Sequence, residues 1–331
     1  MRFPLFTPAW WLPTPHAQTL WAALLHPAGR SDLSQEQLEL PDGDFVDLCW
    51  SSGNSGPLVM VLHGLEGSIG SPYAYGLLAA IHANGWRGVL MHFRGCSGRQ
   101  NRLDRSYHSG DTGDIGFLVK TLRARFPGLP MAAVGFSLGG NALLKYLGES
   151  GTGAGLQAAA AVSVPYDLAT GAERLNSGFS RVYQWHLLRR LRSKVAEKFR
   201  GRERQTLGMT ASQLQQLTDF WKFDHAVTAR LHGFSDVHDY YARSSSRQYL
   251  HAIRVPTLLI HARDDPFMTP AAIPAAAELA DCVTLELSDQ GGHVGFVSGS
   301  LPWRPRYWLE ERIPAFLRTH IELAPGSEPR P

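Results

Sequence analysis

Met131-Ala132-Ala133-Val134-Gly135-Phe136-Ser137-Leu138-Gly139-Gly140-Asn141-Ala142-Leu143-Leu144 is the stretch whose reading decides the fold. Met131 to Phe136 is a short apolar run that predicts a buried strand, and Leu138 to Leu147 predicts a helix with Leu143, Leu144 and Leu147 to pack. Ser137 therefore falls on a sharp strand-to-helix turn that exposes its Oγ. Glycines at 135, 139 and 140 remove side chains that would clash at such a turn. The helix also aims its N-terminal amides and positive dipole end at whatever charge develops beside the serine.

A serine hydroxyl is a poor nucleophile at neutral pH and needs a histidine base, itself oriented by a carboxylate. Around an elbow of this kind the partners follow in the chain order serine, acid, histidine. The acid is sought in Val255-Pro256-Thr257-Leu258-Leu259-Ile260-His261-Ala262-Arg263-Asp264-Asp265-Pro266-Phe267, an apolar strand ending in two aspartates. Carboxylates at strand ends face the ligand-binding edge of a parallel sheet. Asp265 is preferred because it directly precedes the Pro266-Phe267-Met268 turn, and Asp264 is read as turn or cap chemistry. The histidine is His293 in Gln290-Gly291-Gly292-His293-Val294-Gly295-Phe296, just beyond a strand over Val283 to Leu287. The chain has 14 histidines, and His82, His232 and His251 lack such a context.

An oxyanion hole needs two preorganised N–H donors. One is the amide of Leu138, directly after the nucleophile. The second is assigned to the amide of Leu65, in the loop His63-Gly64-Leu65-Glu66-Gly67 that follows a strand over Leu58 to Leu62. His63 is read as shaping that loop through its ring nitrogens rather than as a base.

On these motifs the chain resembles the α/β-hydrolase superfamily, and within it the YheT-type esterase branch, which includes lipid-directed eukaryotic relatives. The resemblance rests on His63 to Gly67 with Ser71-Pro72-Tyr73, on His92-Phe93-Arg94-Gly95-Cys96-Ser97-Gly98, on Asn101 and Tyr107-His108-Ser109-Gly110, and on Gly135 to Gly140. Phe223-Asp224, Leu231-His232-Gly233-Phe234, Asp239-Tyr240-Tyr241, Asp264 to Phe267 and Gly291 to Phe296 extend it, so that it covers the chain from about His16 to about Leu317. It implies Ser137, Asp265 and His293 as charge-relay residues, in agreement with the reading of the residues themselves.

The 331 residues are read as one α/β unit with a doubly wound, mostly parallel sheet, because strand-like and helix-like stretches alternate through most of it. Gln37 to Leu40 and Phe45 to Trp50 flank Pro41-Asp42-Gly43-Asp44 and predict an antiparallel hairpin at one sheet edge. The rhythm stops between residues 166 and 247, which are expected to form a mainly helical cap inserted over the catalytic edge. Leu188, Leu191, Val195 and Phe199 make a helical stripe expected to pack on the main body, with a direct substrate wall as the alternative. Arg189, Arg190, Arg192, Lys194, Lys198, Arg200, Arg202 and Arg204 on the same segment are expected to form a solvated face. Attraction of that run to anionic lipid headgroups is the sharper alternative.

Net charge is +3 with 18% charged residues, too mild and dispersed for a nucleic-acid partner. No Gly-x-x-x-x-Gly-Lys loop or His-Glu-x-x-His helix is present, so neither cofactor nor metal is expected. Three scattered cysteines, Cys49, Cys96 and Cys282, argue against a disulfide framework and for a reducing compartment. Residues 1 to 30 carry Trp10, Trp11 and Trp21 but are broken by Pro4, Pro8, Pro13 and Pro15. They are expected to pack on the body, with weak membrane-surface contact as the minority reading and a cytoplasmic location. Together these features predict a serine esterase acting on a small-molecule acyl ester of short to medium chain or a lipid ester, through an acyl-enzyme. An acyltransferase or thioesterase would use the same residues, and a non-catalytic binding module is the alternative from another class. Nothing in the sequence sets an oligomeric state.

Overall fold

A computed structural model describes residues 3–26, 33–51, 55–200 and 207–322. In chain order these form α1 (Pro15–Leu24), β1 (Leu33–Glu39), β2 (Phe45–Ser51), β3 (Leu58–Leu62), α2 (Pro72–Ala83), β4 (Arg87–Met91), α3 (Gly113–Arg125), β5 (Met131–Phe136), α4 (Leu138–Ser150) and β6 (Ala158–Val162). There follow α5 (Leu168–Leu175), α6 (Ser180–Lys198), α7 (Ala211–Gln215), α8 (Phe220–Phe223), a π-helical turn Asp224–Thr228, α9 (Ala229–Leu231) and α10 (Val237–Ser244). The chain then returns to the sheet with β7 (Thr257–Ala262) and β8 (Val283–Ser288), and ends in a small ribbon, β9 (Val297–Ser298) with β10 (Arg306–Tyr307), and α11 (Trp308–Ile321).

The eight-stranded sheet has the order β1-β2-β4-β3-β5-β6-β7-β8. β1 pairs antiparallel with β2, and β2 with β4; every later pairing is parallel. The central strands β3, β5, β6 and β7 are buried at every position, as strands covered by helices on both faces must be. One face packs α3 and α4, through Ile115, Leu118, Leu143, Leu144 and Leu147. The other packs α2 and α11, through Leu77, Leu78, Ile81, Ile313 and Leu317. β5 and β3 lie side by side at the centre, so the loops leaving their C-terminal ends meet.

The hairpin edge is fixed by charge as well as by pairing. Arg94 is buried and reaches Asp114 on α3 through two bonds of 2.7 Å, and Asp42 and Asp44 in the β1–β2 turn at 2.7 and 3.1 Å. Asp44 also accepts from the Arg102 amide at 2.8 Å and from Asn101 Nδ2 at 2.6 Å. The motif residues Arg94 and Asn101 thus act in the scaffold, tying the sheet edge to α3.

The described residues between β6 and β7 are mainly helical and have a cluster of their own, which includes Leu188, Phe223, Val227 and Tyr240. The basic run on α6 is not one solvated face. Arg192 is buried and donates to the carbonyls of Gln215 and Leu217; Lys194 pairs with Glu66 at 2.6 Å; Lys198 is buried against Asn101. Arg181, Arg189, Arg190 and Arg200 point outward, and Arg202 and Arg204 lie outside the described residues. The inward turn of these three cations reflects nearby acceptors on other segments, which local sequence does not announce.

The N-terminal stretch lies against the body. Phe6 packs edge-on to Phe296 and Trp308; Trp11 and Trp21 meet with centroids 4.5 Å apart; Trp10 is 74% exposed. Among the described residues no helix is long and apolar enough to cross a membrane. Replacing Arg94 with Met leaves Asp44 and Asp114 buried without their counter-charge and should cost about 3–5 kcal/mol, read as a lower urea midpoint.

Candidate active site

Five non-glycine residues among those described have positive φ: Glu66, Ser137, Ser163, Val294 and Phe296. All lie at the C-terminal edge of the parallel strands, where such strain marks a site that the surrounding structure has to hold in place. Ser137 has φ 49° and ψ −118°, and its amide is fixed by donation to Val162 O at 2.8 Å. The glycines around it are required by contact. A Cβ on Gly139 would lie 2.4 Å from His63 O, and one on Gly135 would lie 2.5 Å from Gly139 O. Helix α4 consequently runs directly against the backbone that leaves β3.

The structure brings the three sequence-predicted residues into one hydrogen-bonded chain. His293 Nε2 is 3.0 Å from Ser137 Oγ, and His293 Nδ1 is 2.9 Å from Asp265 Oδ2. Asp265 is 3% exposed, and its Oδ1 accepts from the Phe267 amide at 2.8 Å. With the carboxylate on Nδ1, the neutral ring carries its proton there and leaves Nε2 free to accept from the serine. Asp264 points elsewhere and accepts from the Gly292 amide at 2.9 Å, so the adjacent aspartates divide the tasks of holding the imidazole and holding its loop.

That loop is braced by residues far away in sequence. The His293 amide donates to Thr19 Oγ1 and the Val294 amide to Ser163 Oγ, at 2.9 and 3.0 Å. Gln18, 1% exposed, donates to and accepts from the backbone of Val297. Phe267 stacks flat on the His293 ring with centroids 4.0 Å apart, and Tyr183 of α6 stacks on Phe267. Sequence reading found none of these supports, because Thr19, Ser163 and Tyr183 sit in no motif and meet the loop only through the fold.

Leu65 and Leu138 both line the cavity beside Ser137 and His293. Leu138 opens α4, where amides have no intrahelical acceptor. The loop carrying Leu65 passes close to Ser137, since a Cβ on Gly64 would lie 3.3 Å from Ser137 Cβ. It is held by Tyr73 OH, which accepts from the Gly64 amide, and by Tyr107 OH, which accepts from the Glu66 amide, both at 2.8 Å. His63 completes the support. It is fully buried, donates from Nδ1 to Gly64 O at 2.7 Å and accepts at Nε2 from the Phe93 amide at 3.1 Å. Burial holds its pKa down to about 3, so the ring is neutral.

Above the serine is a cavity of about 650 Å³ with a mostly apolar lining. Leu191 and Val195 of α6 and Phe199 just after it line it, whereas Leu188 is buried within the inserted helices. The apolar stripe therefore forms a cavity wall and part of the insertion's own core, rather than only packing on the main body. Thr19, Leu20, Ala22, Ala23 and Leu24 of α1 close another side.

The residue pattern and the fold have a matching family. A family model described as the alpha/beta hydrolase fold matches residues 57–300. YheT of Escherichia coli strain K12, a candidate esterase, is 44% identical over 311 residues, covering 93% of this chain and 91% of YheT. The chain belongs to the α/β-hydrolase family. The mouse phospholipase ABHD3 is 28% identical, covering 96% of this chain and 79% of its own. The monoacylglycerol lipase of Saccharomyces cerevisiae is 28% identical, covering 82% and 62%. Among solved structures, the Pyrococcus furiosus esterase Pf2001 superposes with a TM-score of 0.58 at 17% identity, covering 96% of this chain and 97% of the esterase, which speaks to fold alone.

Among the described residues, His108, Asp111 and His232 bring potential metal-ligand atoms within 4.8 Å of one another. Asp111 is already paired with Arg105 at 2.7 Å, and Arg94, Lys198 and Lys145 crowd the same region with positive charge, which opposes a cation there. Cys96, near the cavity, is buried with its thiol pushed up to about 11, which suits packing rather than attack.

The folded chain binds fewer protons than the unfolded one as pH falls from about 6.5 towards 3, because His63 must be neutral to fold. Stability should drop over that window. In His63→Gln, urea unfolding between pH 6.5 and 4.5 should show a slope smaller by up to one proton, about 1.4 kcal/mol per pH unit.

Proposed function

We propose that the protein is a serine hydrolase of carboxylic esters with an apolar acyl chain, acting through an acyl-enzyme. The observation that supports this reading most strongly is the Ser137–His293–Asp265 hydrogen-bonded chain at the floor of a large apolar cavity. The names of YheT, ABHD3 and the yeast lipase favour ester bonds as the target.

In this mechanism His293 Nε2 takes the Ser137 proton as Oγ attacks the ester carbonyl carbon. Asp265 holds the ring and stabilises the imidazolium that forms. The carbonyl oxygen becomes an oxyanion beside the amides of Leu65 and Leu138, whose donors need no reorganisation. His293 returns the proton to the departing alkoxide, leaving an ester between Ser137 and the acyl group. Water then enters by the same proton transfers in reverse order, and the free acid leaves. The catalytic residues are thus Ser137, His293 and Asp265, the last acting by holding the second. Residues 166–247 act as the cap of this site, placing α6 over the nucleophile as an acyl-chain wall.

Activity on p-nitrophenyl esters should rise with acyl length while the chain still fits, by up to about fourfold in kcat/KM per methylene, given roughly 0.8 kcal/mol per buried CH₂. Ser137→Ala should lose about four or more orders of magnitude in turnover with an unchanged melting temperature. Near-wild-type turnover in that variant would exclude the mechanism, and a flat length profile would exclude an acyl-binding role for the cavity.

A further inference from the structure

The wall of the cavity reaches the surface as an exposed apolar rim. Leu24 of α1 and Phe179, Val182 and Trp185 at the start of α6 line the cavity, yet are 73%, 48%, 50% and 55% exposed. Leu25, next to Leu24, is 58% exposed. Isolated exposed apolar residues are ordinary, but several large ones around the mouth of an apolar cavity form a patch that water solvates poorly.

On α6 the charged residues that precede Glu197 carry one sign of charge. Residues 180–196 contain no Asp or Glu. The exposed stripe of α6 runs Arg181, Val182, Trp185, His186, Arg189, so two arginines bracket an aliphatic and an aromatic side chain at helical spacing. The Arg189 guanidinium lies over the Trp185 ring, 5.6 Å from its centroid. Of the remaining cations of this helix, Arg190 also points outward, and Arg192, Lys194 and Lys198 face inward and are engaged by the fold. Sorting one basic helix into an inward bonded set and an outward set flanking a tryptophan gives the outer face the composition of a helix that lies in a lipid interface.

We propose that this rim docks on an anionic lipid surface, with Trp185, Phe179 and Leu24 entering the acyl-headgroup boundary and Arg181 and Arg189 meeting the headgroups. Docked in this way, the cavity mouth opens into the bilayer, and a lipid ester reaches Ser137 without its chain crossing water. The substrate class this implies rests on the esterase reading above; the docking itself does not.

The full chain carrying Ser137→Ala, which cannot turn over lipid, is floated with vesicles of phosphatidylcholine with and without phosphatidylglycerol. It should bind the anionic vesicles and bind them less as salt rises. Arg181→Gln with Arg189→Gln should weaken that binding about tenfold or more, while hydrolysis of a soluble short-chain ester by the otherwise native protein is unchanged. Leu25→Ser should weaken binding further. Absence of binding to anionic vesicles overturns the proposal, as does equal binding of both vesicle types that ignores the arginine changes. A dimer in sedimentation that Leu25→Ser dissociates overturns it too, since a second copy would then cover the rim. If the protein binds vesicles but lacks esterase activity, the docking stands and the catalytic reading fails.

Discussion

The candidate site depends first on the passage of Ser137 and Gly139 against the backbone leaving β3. A side chain on Gly139 would meet the carbonyl oxygens of His63 and Leu62, and one on Gly140 would meet Val164, so α4 can start where it does only with those positions bare. The left-handed conformation of Ser137 follows from that placement. It also sets Ser137 beside Gly64, and hence close to the loop that carries Leu65. A strained residue needs a frame that over-determines it. Here the frame is the fully buried β3–β5–β6 core, with α4 buried against it from Leu138 to Leu147.

Other parts of the chain secure that turn from outside. Lys194 of α6 pairs with Glu66, which follows Leu65 and itself has positive φ. Tyr183 of the same helix stacks on Phe267, which stacks on His293. α1 holds the amide of His293 through Thr19. The inserted helices and the N-terminal segment therefore between them touch the two loops that flank Ser137.

Much of this was legible in the sequence, for physical reasons. A strand that is buried on both faces reads as an unbroken apolar run, and Met131 to Phe136 and Leu58 to Leu62 do so. The elbow glycines announced a close backbone approach, and the Asp-Gly turn announced the hairpin. Asp265 was separable from Asp264 because it stands directly before the Pro266 turn. What was illegible depends on distance in three dimensions. The pairing of Arg94 with Asp42, Asp44 and Asp114, the bracing of His293 by Thr19, and the engagement of Lys194 and Lys198 join segments whose separation in sequence carries no signal. The basic run on α6 shows the limit best. Composition predicts a solvated face, but the acceptors that draw Arg192, Lys194 and Lys198 inward lie at the end of α7 and just after it, on the Leu65 loop and on Asn101.

Labelling with a fluorophosphonate, read by intact mass and by peptide mapping, tests the central claim most directly, because it reports an activated serine without the substrate being known. The account predicts a single adduct on Ser137 of the folded protein, absent in His293→Ala although Ser137 is still present. An adduct at another residue, or none on folded protein even with detergent present to wet the cavity mouth, would contradict it.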